Sequence, residues 1–320
     1  MNIRNYSPEL IYRYHKFYNE ARSDRPDREE TTIEAIHAFF APPYYDPKGH
    51  LLAMVDDQIV ADILGSRNLG YMVFPEDKIN LALNVLPGYR RQGIGRQLLD
   101  LVTKYFSDKG IKIFVVDDVH AKCKGSIKFY QKNHFKEEAR GYWMEFDLSK
   151  KPSLRYKAPR GYHLRSLAGQ DELEVFRSTI NESFSDTLGF TPMDKEQFKR
   201  RYMDRPVFDL SGLLVAIDDS SNSIVGTTAS LIELDATKKE TFGHIRAVGV
   251  MKPHRGKGLA RSLMIASMNW LAAHEMHVAR LGTNNPVAFR LYRSLGFKIL
   301  QEYIRFEKVI PAEHSTTQSD

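Results

Sequence analysis

The chain has 320 residues, enough for two domains of ordinary size. Hydrophobic residues at 42% and charged residues at 27% exclude a disordered or fibrous chain. A formal net charge of +6 suits contact with phosphates but is too small a surplus for a dedicated nucleic-acid binder, and the single cysteine, Cys123, excludes an internal disulfide.

At the amino terminus, MNIRNYSPELIYRYHKFY mixes apolar and charged residues too closely for a secretory signal. No window reaches the roughly 20 apolar residues of a membrane span, so a cytoplasmic location is expected. The run Phe39-Phe40-Ala41-Pro42-Pro43-Tyr44-Tyr45 reads equally as the lining of an acceptor pocket and as a packed loop. Short strand patterns follow at Leu51–Val55, Ile59–Leu64 and Leu81–Val85, separated by turn residues. The last of these enters the segment VLPGYRRQGIGRQLL (85–99), and helical spacing then runs over Gln97–Phe106. A strand at Lys112–Val116 and a helix at Ser126–Lys132 complete the first half.

Residues 149–161, SKKPSLRYKAPRG, are rich in charge, Pro and Gly and lack periodicity. They predict a first domain over 1–150, a linker over 151–161, a second domain over 162–310 and a polar tail over 311–320. The second half repeats the first. Strands are expected at Leu213–Ile217, Ile224–Leu234 and His244–Val250, followed by VMKPHRGKGLARSLM (250–264), a helix over Arg261–His274, a strand at Val278–Gly282 and a helix at Val287–Leu295. Val85, Arg90, Gly93 and Gly95 answer to Val250, Arg255, Gly258 and Ala260 at an offset of 165; Tyr130 and Phe135 answer to Tyr292 and Phe297 at 162.

A glycine-rich turn opening a helix converges backbone N–H groups on the positive end of the helix dipole, which suits a phosphate or pyrophosphate. Gly93, Gly95, Gly256 and Gly258 remove side chains that would block close approach, and Arg90, Arg91, Arg255 and Lys257 offer charge-assisted contacts. There is no P-loop pattern, and neither turn has the first glycine of a dinucleotide fingerprint.

Both turns resemble the [QR]-x-x-G-x-[GA] signature of the GNAT acyl-CoA-dependent N-acyltransferases. The second half also carries that family's later motif, N-x-x-A-x-x-x-Y-x-x-x-G-F, as Asn285, Ala288, Tyr292, Gly296 and Phe297. The whole chain is therefore similar to a tandem GNAT protein, an arrangement also found in mycothiol synthase-like enzymes. The resemblance implies an α+β fold of two GNAT domains, each a splayed mixed β-sheet flanked by helices. It implies acetyl-CoA as donor, its pyrophosphate on Arg90, Arg91, Gln92, Gly93, Ile94 and Gly95, or on Arg255, Gly256, Lys257, Gly258, Leu259 and Ala260. The pantetheine arm is expected along the strands ending at Val85 or at Val248 and Val250, with Asn285 beside it.

It further implies direct attack by a deprotonated amine, an oxyanion held by a strand N–H, and a Tyr that protonates the leaving thiolate. Tyr292 fits that acid. A base from the strand eleven residues before the motif falls on His244 in the second half and on Ile79 in the first. His244 reads as this base or as a hydrogen-bonded core residue, and Glu233 is a weaker base candidate. The first half departs from the motif with Cys123 for Asn, Ser126 for Ala and His134 for Gly, which places the chemistry in the second half. Cys123 beside His120 reads as a nucleophile or as a plain small residue. Glu174, Glu182, Asp186 and Asp194 read as selectors of a cationic acceptor or as a solvated face. A small-molecule or peptide amine is the expected partner, with neither nucleic acid nor membrane and no metal. Activity in the first half, and a non-catalytic acyl-CoA sensor, stand as the alternatives.

Overall fold

The computed structural model describes residues 1–28, 30–40, 45–67, 74–150, 157–187, 190–204, 207–235 and 240–310. Residues 41–44 of the aromatic run, 151–156 of the expected linker and the tail 311–320 lie outside them. In chain order the elements are β1 (Asn2–Asn5), α1 (Ile11–Ala21), α2 (Ile33–Phe39), β2 (Tyr45–Val55), β3 (Gln58–Ser66), β4 (Lys78–Val85), α3 (Ile94–Ser107), β5 (Ile113–His120), α4 (Lys124–Lys132) and β6 (Lys136–Asp147). There follow β7 (Tyr162–Ser166), α5 (Leu173–Ser183), α6 (Lys195–Phe198), β8 (Leu213–Asp218), β9 (Ser223–Asp235), β10 (Glu240–Val250), α7 (Leu259–Ala273), β11 (Val278–Thr283), α8 (Pro286–Leu295) and β12 (Lys298–Val309). No helix among the described residues is long and apolar enough to cross a membrane.

By compactness the chain forms one unit from Met1–Arg140 with the segment from Glu302 onward, and another from Gly141–Gln301. In the first, antiparallel β1, β2, β3 and β4 lead to β5, which is parallel to β4; Tyr303–Val309 of β12 then closes the edge antiparallel to β5. In the second, β7, β8, β9 and β10 are antiparallel, β11 is parallel to β10, and Tyr142–Asp147 of β6 closes the edge against β11. Each sheet thus ends on a strand whose sequence belongs to the other half, so 141–150 group with the second unit. Both units are mixed sheets flanked by helices, an α+β fold.

Strand alternation sorts the helices onto opposite faces. In the first unit Asp62 of β3 accepts a hydrogen bond from Tyr14 of α1 at 2.7 Å, while three residues on a Cβ at Gly65 would collide with Phe106 of α3. In the second, Leu231 of β9 shares a core with Phe176 and Ile180 of α5, while Gly243 of β10 leaves room for Leu271 of α7. Burying each such side chain contributes about 1.5–3 kcal/mol, which fixes the helices against the sheet.

The end of α8 is a left-handed cap at Gly296 (φ +99°), where Phe297 N–H returns to the Tyr292 carbonyl at 3.0 Å. The end of α4 makes the same return, Phe135 N–H to Tyr130 O at 3.0 Å, but its left-handed residue is His134 (φ +66°). A left-handed L-residue costs about 1–2 kcal/mol, and the freedom of a glycine in the unfolded chain gives part of that back. We expect His134→Gly to stabilise the first unit by about 0.5–1 kcal/mol, read as a rise in its denaturant midpoint at unchanged slope. A fall would show that the imidazole makes a compensating contact.

Candidate active site

In both units the strand before the glycine turn forks away from its parallel neighbour. β10 pairs with β11 only at Gly243–Ala279 and His244–Arg280, which leaves residues 245–250 open on that side. β4 pairs with β5 only from Lys78 to Asn80, which leaves 81–85 open. The two forks differ in detail. β10 carries a bulge between Arg246 and Gly249, with Ala247 at φ +52° and Thr227 Oγ1 donating to its carbonyl at 3.0 Å; Ala247 and Val248 therefore fall outside the β9 register. β4 keeps an unbroken register with β3 through Val85.

Each fork leads into a glycine turn that opens a helix. Gly93 (φ +84°) and Gly258 (φ +89°) occupy the caps of α3 and α7, and no side chain satisfies the first helical N–H groups. Gly256 adds a second left-handed position, at φ +77°. A Cβ at Gly93 or Gly256 would meet nothing within 4 Å, and one at Gly258 only Pro159 at 3.8 Å, so the glycines leave an open cradle in front of each helix. Ile94 and Leu259 anchor the first turns in the core, followed by Gly95, which has no side chain, and Ala260, which has only a methyl.

Arg90 and Arg255 act differently from the expected phosphate contact. Arg255 Nε donates to the Val250 carbonyl at 2.9 Å, and Nη2 donates to the Ser183 carbonyl at 2.8 Å and to Asp186 at 3.0 Å. Arg90 does the same with Val85 O at 2.9 Å, Ala21 O at 3.0 Å and Asp24 at 3.0 Å. Each guanidinium is spent tying the strand end to the last turn of the unit's first long helix, so it positions the turn and does not reach into it. Asp186 is thus neither an acceptor selector nor a free surface charge. Glu174 pairs with Arg177, and Asp194 caps α6 with a capping box. Arg91 is exposed at φ +63°, and Gln92 turns its amide back onto the Gly88 carbonyl at 3.1 Å.

His244 sits on the last paired rung of the second fork and is only 3% exposed. Its Nδ1 lies 3.0 Å from Glu233 Oε2, which reaches it diagonally from β9, and Arg246 Nε donates to its Nε2 at 3.3 Å. That pattern fits the Nδ1–H tautomer, with the lone pair on Nε2. Trp143 closes over it with ring centroids 5.3 Å apart. The last rung of the first fork carries Asn80, not Ile79; its Oδ1 accepts from Asp117 N–H at 3.1 Å, so the side chain is consumed in bridging β4 to β5. Beyond it, Asn84 and Tyr14 both donate to buried Asp62.

Tyr292 is 6% exposed in the core beneath α8, and its hydroxyl has no hydrogen-bond partner among the described residues. Burial pushes its pKa above the ordinary phenol value. Asn285 caps α8 through Oδ1, accepting from Val287 N–H at 2.8 Å and Ala288 N–H at 3.2 Å, so only its amide nitrogen remains for a ligand. Val248 is part-buried against the same core, and Val250 ends the strand. Cys123 precedes α4 with its thiol pushed up by burial, which disfavours the thiolate. Of the aromatic run, Phe40 and Tyr45 pack around buried His50.

A family model described as the acetyltransferase (GNAT) family matches residues 11–135 and again 175–297. A protein named mycothiol acetyltransferase from Thermobispora bispora is 28% identical over 283 residues, covering 87% of this chain and 88% of its own. One of the same name from Thermobifida fusca is 26% identical over 74% of this chain and 76% of its own. A GCN5-related N-acetyltransferase from Sphaerobacter thermophilus superposes with a TM-score of 0.75 at 17% identity, over 97% and 96% of the two chains. A tandem GNAT protein from the clavulanic acid biosynthesis pathway superposes with 0.66 at 14%, over 98% and 99%.

The open glycine cradles, the uncapped helix starts and the forked strands suit a donor that carries a pyrophosphate and an amide-bearing arm. The chain belongs to the acetyltransferase (GNAT) family, as a tandem N-acetyltransferase whose acyl donor is acetyl-CoA.

Proposed function

We propose that the enzyme acetylates a small-molecule primary amine by direct attack in a ternary complex, with the chemistry in the second unit. The observation that carries this reading is the last rung of the fork: an imidazole beside a carboxylate in the second unit, an amide already bonded to the neighbouring strand in the first. The donor supplies the thioester carbonyl. The N–H groups at the start of α7 hold its pyrophosphate, and the open edge from Val248 to Val250 aligns its arm, with Asn285 offering an amide N–H. The bulge at Ala247 and Val248 turns a strand N–H out of the ladder, where it supports the oxyanion.

An amine near pKa 10 must lose a proton before attack. His244 takes it at Nε2 through an intervening water, since the ring itself is buried, as the Arg246 Nε–H that occupies this lone pair gives way, and the Glu233 carboxylate lies beside Nδ1 as positive charge forms. Tyr292 then returns a proton to the thiolate. The relatives named mycothiol acetyltransferase support a small-molecule acceptor over a peptide. The first unit keeps its glycine turn without a basic side chain on the last rung, and we assign it a binding or bracing role. The cytoplasm, where acetyl-CoA is made and a lone thiol stays reduced, suits the enzyme.

Replacing His244 with Ala should lower kcat about ten- to a hundredfold with little change in KM for acetyl-CoA, because a water relay to bulk solvent substitutes in part. Steady-state rates with a series of primary amines test it; unchanged kcat across pH 6–9 would remove His244 from the mechanism.

A further inference from the structure

Lys257 stands between the two left-handed glycines of the second turn, so the backbone there leaves its side chain a narrow choice of direction. Its Nζ donates to Tyr162 Oη at 2.7 Å. That hydroxyl lies 3.0 Å from Nδ1 of His254, and the two rings meet edge-on at 5.8 Å. The chain of hydrogen bonds has one consistent direction: the ammonium donates to the phenol and the phenol donates to the imidazole. Two donors of the ammonium remain, and among the described residues Lys257 has no carboxylate partner. Tyr162 opens β7 and comes from a segment laid against the same turn. Pro159 approaches Gly258, and the Lys157 carbonyl accepts from Ser262 Oγ at 3.4 Å. In the first unit Gln92 stands where Lys257 does and folds back on Gly88.

We propose that Tyr162, backed by His254, is a positioning residue that holds the Lys257 ammonium over the second turn as a fixed cation for the phosphates of the donor. It rests on the second-unit donor site proposed above and adds the element that makes that site selective for a phosphorylated donor. A long flexible lysine loses rotamer freedom on meeting an anion; a hydroxyl that already holds it removes much of that cost before binding.

The test is calorimetric, without acceptor, using acetyl-CoA and the phosphate-free probe acetyl-pantetheine on the full chain. Tyr162→Phe should weaken one acetyl-CoA site about tenfold, the scale of one charge-assisted hydrogen bond, and leave acetyl-pantetheine unchanged. Lys257→Gln should do the same, and the double variant should be no weaker than Lys257→Gln alone. In turnover, Tyr162→Phe should raise KM for acetyl-CoA and keep kcat within about twofold. Equal weakening of both probes, additive effects in the double variant, or wild-type affinity at every site would overturn the proposal. Should a Gly258→Val enzyme keep full turnover while Tyr162→Phe still weakens one site selectively, the inference stands and the placing of the chemistry falls. A dead Gly258→Val beside an unaffected Tyr162→Phe would overturn the inference and leave the chemistry in the second unit.

Discussion

Gly258→Val should weaken binding of acetyl-CoA to the second unit at least a hundredfold and remove most turnover, while the protein stays folded. Gly258 holds φ +89° immediately before α7, where a β-branched residue is strained by about 1–2 kcal/mol or more. That is a modest loss for a unit with its own buried core. The turn can relieve it by rotating the peptide after residue 258. The rotation swings the Leu259 and Ala260 N–H groups off the common point that a pyrophosphate needs, and donors of this kind contribute through alignment. The Arg255 clamp does not resist the movement, since it fixes the strand end and the approach to the turn from the Val250 side. Binding measured by calorimetry, turnover and a thermal melt together check the prediction. Surviving turnover would move the chemistry to the first unit.

Much of the fold and part of this site were legible in the sequence, for identifiable physical reasons. The strands around each glycine turn and the helices after it are short, strongly patterned and local, and the observed elements extend those expected by a few residues, as with β10 beginning at Glu240. The closing strands were not legible. β6 (Tyr142, Trp143, Met144, Phe146) and β12 (Tyr303, Ile304, Phe306) do carry strand-favouring residues, but nothing local says that each pairs with a strand far away in the sequence, β11 and β5, and so closes that sheet.

The clamp on each Arg was missed although its trace is present. Residues 19–24 read NEARSD and 181–186 read NESFSD, at the same offset of 162 as the tyrosine motif. The structure gives the repeat its meaning. Asp24 and Asp186 hold the arginines. Asn19 pins Thr31 through both its N–H and its carbonyl, and Asn181 pins Met193 in the same way. Four positions scattered over six residues carry no chemistry of their own, so only the contacts identify them. Counting back eleven residues from the motif lands on His244 in the second half and on Ile79 in the first, but the two do not hold equivalent places. The bulge after Arg246 has no equivalent in β4, and the rung facing the fork is therefore Asn80 and not Ile79.

Tyr292→Phe should cut kcat about a hundredfold near pH 7 and leave stability within about 0.5 kcal/mol. The stability half follows from the surroundings. The hydroxyl has no partner among the described residues, so its removal orphans no buried donor or acceptor, and the ring keeps its packing against Phe297. The kinetic half follows from the same burial. Desolvation holds the phenol above its ordinary pKa, so it is protonated across the working range; the same desolvation makes a buried phenolate costly, so the proton passes only as the C–S bond breaks and charge gathers on the sulfur. The loss should shrink as the pH rises past about 8.5, where an ordinary thiolate is stable without a proton and its departure has less need of an acid. Tyr130 provides the control. It is equally buried, raised by the same desolvation and without a partner for its hydroxyl among the described residues, but it lies in the unit whose fork carries Asn80. Tyr130→Phe should keep kcat within about twofold. Rates of both variants from pH 6 to 10 separate the cases: a Tyr292→Phe enzyme as fast as wild type throughout would mean that water protonates the thiolate, and a loss with Tyr130→Phe alone would place the acid, and the reaction, in the first unit.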